Sequence, residues 1–168
     1  MKHKNATAGF AMLEVLITIM VVSVGLLALA GLQLTSLRGA QESAKRTIAV
    51  HAAYEMADRM KANSQQTYHL LSGTLPNCTG GACSATDLAL FDTKVWQARL
   101  AQELPGGVGV VCHDSTAIAD GSSVATHGCD NAGDLGTYVI KIWWSERSSD
   151  PTAPAPTEMQ VFALEFRP

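Results

Sequence analysis

The sequence predicts an α+β fold in which one long N-terminal helix packs on a small antiparallel β-sheet. Three observations predict it. Near the start of the 168-residue chain, the 23 residues from Val15 to Leu37 carry no charge and are mostly apolar, a run that reads as helix. Neither proline nor a turn cluster interrupts the chain between Phe10 and Asn63, so the helix continues well past the apolar run. Three alternating apolar stretches, separated by segments rich in Gly, Ser and Pro, occupy the C-terminal third and read as strands.

The uncharged run would extend roughly 35 Å at ~1.5 Å per residue, the length of a membrane span. Lys2 and Lys4 precede it and no base follows until Arg38. The N-terminus is therefore expected in the cytoplasm and the rest translocated. A secretory signal peptide has the same orientation, but its apolar core is shorter and leads to a small-residue cleavage site. Glu14 sits at the edge of the run, and a carboxylate deep in hydrocarbon costs ~2.5–3.5 kcal/mol unless a cation meets it. One reading places Glu14 at headgroup level, where it snorkels. The other supplies a cation: a cut after Gly9 would free the Phe10 α-amino group about one helical turn from Glu14, or within reach of a neighbouring copy's Glu14.

Beyond Arg38 the helix becomes amphipathic. Ala49, Ala53, Met56 and Met60 recur at spacings of four, three and four, while His51, Glu55, Asp58 and Arg59 occupy another side. The first set is expected to face a core and His51 to face solvent. Glu55 and Arg59 are expected to form a weak surface pair worth ~0.2–0.5 kcal/mol. Gly25 and Gly31 would let a second helix approach the apolar run closely.

A polar loop from Ser64 to Ala85 follows, with Cys78 and Cys83 at its centre. Ser84-Ala-Thr-Asp87 has the spacing of a capping box. Leu88, Phe91, Val95, Leu100 and Leu104 then mark a second helix that Pro105-Gly106-Gly107 stops. Val108, Val110 and Cys112 alternate in the first strand. Tyr138, Ile140, Ile142 and Trp144 alternate against Val139, Lys141 and Trp143 in the second, and Phe162, Leu164 and Phe166 alternate in the third. The stiff polar connector from Ser148 to Pro156 suits an antiparallel pairing of the last two.

Composition narrows the chemistry. With 12 basic residues scattered against 15 acidic ones, the chain lacks the positive patch that nucleic acid requires. It has no Gly-x-Ser-x-Gly, no phosphate-cradling glycine loop and no His-Glu-x-x-His, so neither an enzyme nor a cofactor is expected. Cys112-His113 and His127-Gly-Cys129 gather zinc-type ligands, yet adjacent residues on a strand point to opposite sides, and no metal is expected. All four cysteines lie beyond the apolar run, where an exported domain meets an oxidising compartment. Of three connectivities, Cys78 with Cys83 and Cys112 with Cys129 is the pairing expected: Gly80 and Gly81 loosen the first ring, and the second closes a loop worth ~3 kcal/mol.

The stretch Gly9-Phe10-Ala11-Met12-Leu13-Glu14-Val15-Leu16-Ile17 resembles the class III signal of type IV pilins and type II secretion pseudopilins, usually Gly-Phe-Thr-Leu-Ile-Glu. The departures at Ala11, Met12 and Leu13 are conservative. The resemblance implies that prepilin peptidase cuts between Gly9 and Phe10, that Phe10 becomes N-methylated, and that Glu14 guides docking into a filament. Val22 to Gln33, Ala53 to Asn63, Leu104 to Gly107 and the strand bearing Trp143 are similar to PilV-type minor pilins. That resemblance implies a type IV pilin-like fold with a leader at 1–9, a transmembrane and filament-core half at 10–37, and a head at 38–168. It implies a non-enzymatic subunit that is held in the inner membrane with a periplasmic head and then enters the pilus at the cell surface. There it would be sparse, help to initiate assembly, and serve twitching motility and adhesion. The partners implied are other minor and major pilins, the prepilin peptidase, the inner-membrane assembly platform and an adhesin at the tip. Two other readings stay open. A minor pseudopilin of a type II secretion system shares every feature before Arg38, and a membrane-anchored periplasmic binding or thiol protein would keep the N-terminus as a plain anchor. The four residues between Cys78 and Cys83 depart from the Cys-x-x-Cys of thiol oxidoreductases.

Overall fold

A computed structural model of the chain describes residues 8–78, 80, 83–115, 121, 123–130, 137–148, 152 and 157–168, with side chains from residue 12 on. The leader bases Lys2 and Lys4, Gly81 and most of the Ser148 to Pro156 connector lie outside the described residues, as does the side chain of Phe10. Helix α1 spans Ala8–Ala62 and α2 Ala85–Glu103; strands β1, β2 and β3 span Val108–Cys112, Tyr138–Arg147 and Thr157–Phe166. The helices precede the strands, giving the α+β arrangement expected.

The chain forms two compact units, Met1–Ser43 and Ala44–Pro168. In the first, α1 presents its apolar side chains outward, from Met12 at 76% exposure to Leu37 at 61%, a contiguous apolar surface of the kind that marks a membrane or protein contact. Three of its hydroxyls turn back on the helix: Thr18 donates to the Val15 carbonyl at 2.8 Å, Ser23 to Ile19 at 2.6 Å and Thr35 to Gly31 at 3.1 Å. These polar groups are satisfied within the helix, as hydrocarbon demands.

In the second unit, Ala49, Ala53, Met56 and Met60 of α1 are fully buried, joined by Ala52 and Ala57. The small alanines let this face sit close to its neighbours. The sheet has the order β1-β2-β3 with both pairings antiparallel. Ile140 lies opposite Val111 on one side and Leu164 on the other. Tyr138, Ile140, Ile142 and Trp144 share one core with the α1 residues and with Trp96 and Leu100 of α2, and Phe162, Leu164 and Phe166 pack against it.

Helix α2 starts as its capping signal predicts: the Ser84 hydroxyl accepts from the Asp87 N–H at 3.1 Å and donates to the Asp87 carboxylate at 2.7 Å. Its buried face differs from the periodicity of its large apolar residues. Ala89, Asp92, Thr93, Trp96 and Leu100 are buried, whereas Leu88 is exposed and Phe91 and Val95 are half-buried. The helix is rotated toward polar anchors. Trp96 donates its indole N–H to the Ala52 carbonyl at 2.9 Å, and Asp92 meets Arg59 of α1 at 2.6 Å. The Trp96 ring rests on Gly109 of β1, where a Cβ would overlap the ring, so glycine at this position sets how closely α2 lies on the sheet. After α2, Gly106 takes φ +63°, a conformation open to glycine.

Strand β2 is buried on both faces. Away from α1, Val110, Cys112 and Trp143 form a second apolar cluster flanked by Leu70, Cys129 and Val161. The alternation in β2 predicted two faces but not that both are covered.

Candidate functional site

Gly9 and Phe10 lie in the first turns of α1, and Glu14 follows one turn later on the same helix. Positions four apart lie on one face of a helix, so Glu14 shares the face of position 10. Glu14 is exposed and has no hydrogen-bond or ion-pair partner among the described residues. Around it Met12, Leu13, Val15, Leu16 and Ile17 are all exposed and apolar. A carboxylate in such a surface is unsatisfied in hydrocarbon until a cation reaches it.

The cysteines belong to the second unit. Cys78 is bonded to Cys83 in the loop between α1 and α2, with Cα atoms 5.2 Å apart. Cys112, the last residue of β1, is bonded to Cys129 in the loop that leads to β2, with Cα atoms 6.1 Å apart. Both separations suit a disulfide. Among the described residues no group of three or more His, Cys, Asp or Glu is placed to hold a metal ion.

The second disulfide sits beside a feature that the sequence reading passed over. The Lys141 ammonium lies 2.6 Å from the Asp114 carboxylate, with both side chains 0% exposed, and donates to the His127 carbonyl at 2.9 Å. Asp114 and His127 both lie within the loop that the Cys112–Cys129 bond closes. The disulfide and the ion pair therefore pin the same loop over the outer sheet face. A lysine in mid-strand, flanked on its own face by Val139 and Trp143, was the one signal available for it.

Three histidines lie near the same place. The His113 N–H donates to His69 Nδ1 at 3.0 Å, and the His113 ring stacks on His69 with centroids 5.6 Å apart and meets Tyr138 at 4.1 Å. Burial lowers the His69 pKa from its ordinary value, and repulsion from His113 and His127 lowers it further.

Between α1 and α2 runs a ladder of charges in place of the isolated pair expected. Arg59 bridges Glu55 at 2.9 Å and Asp92 at 2.6 Å, while Arg99 bridges Glu55 and, at 2.7 Å, Glu103. Burial opposes the charge of Arg59, but hydrogen bonds and attraction from Glu55 and Asp92 outweigh it and raise the guanidinium above its ordinary value. The open cavity beside this ladder, about 710 Å³ and lined by His51, Tyr54, Asp58 and Ala62 among others, is walled by charges already paired.

An apolar N-terminal helix with its own face uncovered, followed by a small disulfide-bearing α+β head, fits a membrane-anchored structural component. A family model described as "Type IV pilin Tt1218", of the Tt1218-like family, matches residues 31–94, from α1 through the Cys78–Cys83 loop into α2. The match supports a place in the type IV pilin superfamily and a pilin role. No curated protein and no solved structure matches the chain.

Proposed function

We propose that this chain is a PilV-type minor pilin of a type IV pilus, cut between Gly9 and Phe10, N-methylated at Phe10 and docked into the filament through Glu14. The observation that carries the proposal is Glu14, a lone carboxylate without a described partner in an apolar helix surface, one turn after a Gly9-Phe10 junction. The leader would be 1–9, the filament-core half 10–37 and the head 38–168. Before assembly the chain would be held in the inner membrane with the head in the periplasm, and afterwards it would lie in the pilus at the cell surface. The Phe10 amine of an adjacent subunit neutralises Glu14 only when the two helices are in register, so the carboxylate checks register while the apolar surface supplies packing area. Sparse incorporation, a part in starting assembly, and service to twitching motility and adhesion follow from the resemblance to PilV-type subunits. Prepilin peptidase, other pilins, the assembly platform and a tip adhesin are the partners that follow with them.

Mass spectrometry of the chain purified from membranes tests the processing: a methylated Phe10 terminus is expected, and an intact Met1 would sink the reading. Glu14→Ala is expected to leave the chain cleaved and membrane-embedded while reducing surface pili and twitching when it is the sole copy. Normal piliation by that variant, where a deletion has none, would remove the docking role.

A further inference from the structure

The two edges of the sheet are treated differently. At the β1 edge, the Gln97 side-chain amide donates to the Gly109 carbonyl at 2.9 Å, the Leu70 N–H to the Val111 carbonyl at 2.8 Å, and the His113 N–H reaches His69 at 3.0 Å. This edge is closed by the protein's own groups, which is how a native sheet blocks unwanted pairing. The same bonds fix the pattern across the sheet. Since Gly109 and Val111 turn outward, their partners Ile142 and Ile140 turn toward β3 and meet Phe162 and Leu164, leaving Thr157, Met159, Val161, Ala163 and Glu165 to present their backbone groups at an edge with which no other described strand pairs.

The β3 edge is ten residues long and contains no lysine, arginine or proline, the residues that usually blunt an edge. Met159 is 50% exposed. The two charges on the strand are both acidic: Glu158 near one end and Glu165 near the other, on opposite faces. Glu158 lies directly opposite Glu146 of β2; Arg46 stands 3.8 Å from Glu146 and the Ser148 hydroxyl donates to Glu158, so the three charged groups keep one net negative charge, which disfavours a further acid there and favours a base.

We infer that the β3 edge accepts an extended strand from the head of a different subunit, apolar in the middle and carrying basic residues seven positions apart, on opposite faces, to meet Glu158 and Glu165. Main-chain bonds to Met159, Val161 and Ala163 supply the attachment and the two glutamates set the register. A second copy of this chain is the wrong occupant, because its β3 brings the same two glutamates and no base. That the donor is a pilus subunit rests on the reading above; the chemistry of the edge does not.

The test uses the full-length chain in detergent micelles and two strand peptides of eight residues, alternating threonine and valine, one ending in lysine at both termini and the other in glutamate. The lysine peptide is expected to bind and to slow hydrogen exchange at Met159, Val161 and Ala163. The glutamate peptide is expected to bind at least about threefold more weakly. Ala163→Pro removes an outward N–H without touching the β2 ladder and is expected to weaken the lysine peptide about tenfold. The double change Glu158→Lys with Glu165→Lys is expected to reverse the preference, a result that loss of folding cannot mimic. Equal binding of the two peptides, binding of neither, or edge amides already protected by self-association would overturn the inference. A chain that binds neither peptide yet is cut at Gly9 would overturn this inference alone and leave the pilin reading standing.

Discussion

Lys141 is an ammonium enclosed in the sheet with Asp114 against it, and what such a pair contributes depends on keeping both members. Desolvating two charges consumes most of their mutual attraction, whereas removing one leaves the other buried and uncompensated. Asp114→Ala is therefore expected to destabilise the chain by ~3–5 kcal/mol, and the double replacement Asp114→Leu with Lys141→Met by much less. Urea unfolding of the full-length chain in micelles checks the contrast. Nearby, His69 has a folded pKa below its unfolded value because of burial and of His113 and His127. The unfolded chain thus binds the proton more readily. The stability linked to His69 is present above the ordinary histidine pKa of about 6.5 and lost as pH falls through it. His69→Gln keeps an acceptor for the His113 N–H and is expected to flatten the pH dependence of unfolding between about pH 7 and 5. An unchanged slope in that window would show that His69 does not carry the linkage.

At the scale of the element, α2 is held by contacts of unequal worth. Arg59 is one-third exposed and joins Glu55 to the nearly buried Asp92, while Arg99 is half exposed. Arg59→Ala strands the Asp92 carboxylate and is expected to cost ~1.5–3 kcal/mol, the worth of a charged hydrogen bond. Arg99→Ala is expected to cost less than ~1 kcal/mol because solvent screens it. Gly109→Ala would drive a methyl group into the Trp96 ring, with an expected loss of ~1–3 kcal/mol. Thermal unfolding followed by Trp fluorescence ranks the three, and an Arg99→Ala variant weaker than Arg59→Ala would reverse the account of the ladder.

Across the whole molecule, the head has two layers of burial on the two faces of one sheet, and they depend on different links. The α1 and α2 side is closed by apolar packing. The other side is closed by a loop that the Cys112–Cys129 bond ties across a sequence separation of 17. Replacing both of these cysteines by serine is expected to cost ~3 kcal/mol through the freed chain entropy, and to raise hydrogen exchange at Lys141 and Trp143 before exchange rises at Met56 or Met60 of α1. Simultaneous loss of protection on both faces would mean that the two layers open as one. The Cys78–Cys83 ring spans a separation of 5, so its loss is expected to cost less.

What the sequence determined by itself is what neighbouring residues decide. The apolar run, the absence of breakers, the Ser84 cap and the period-two strands each act within a few positions, and α1, the start of α2 and all three strands were legible from them. Gly9, Phe10 and Glu14 were legible as candidates for the same reason, since their meaning lies in a spacing of a few residues. The tertiary structure decided which way α2 turns, that β2 is covered on both faces, and that Lys141 is a buried ion rather than a surface one. Those outcomes rest on the Trp96 bond to Ala52, the Arg59 bond to Asp92 and the Lys141 bond to Asp114, separated by 44, 33 and 27 residues. A buried polar group must find its partner wherever the fold supplies one, and no local pattern of apolar residues records where that partner stands.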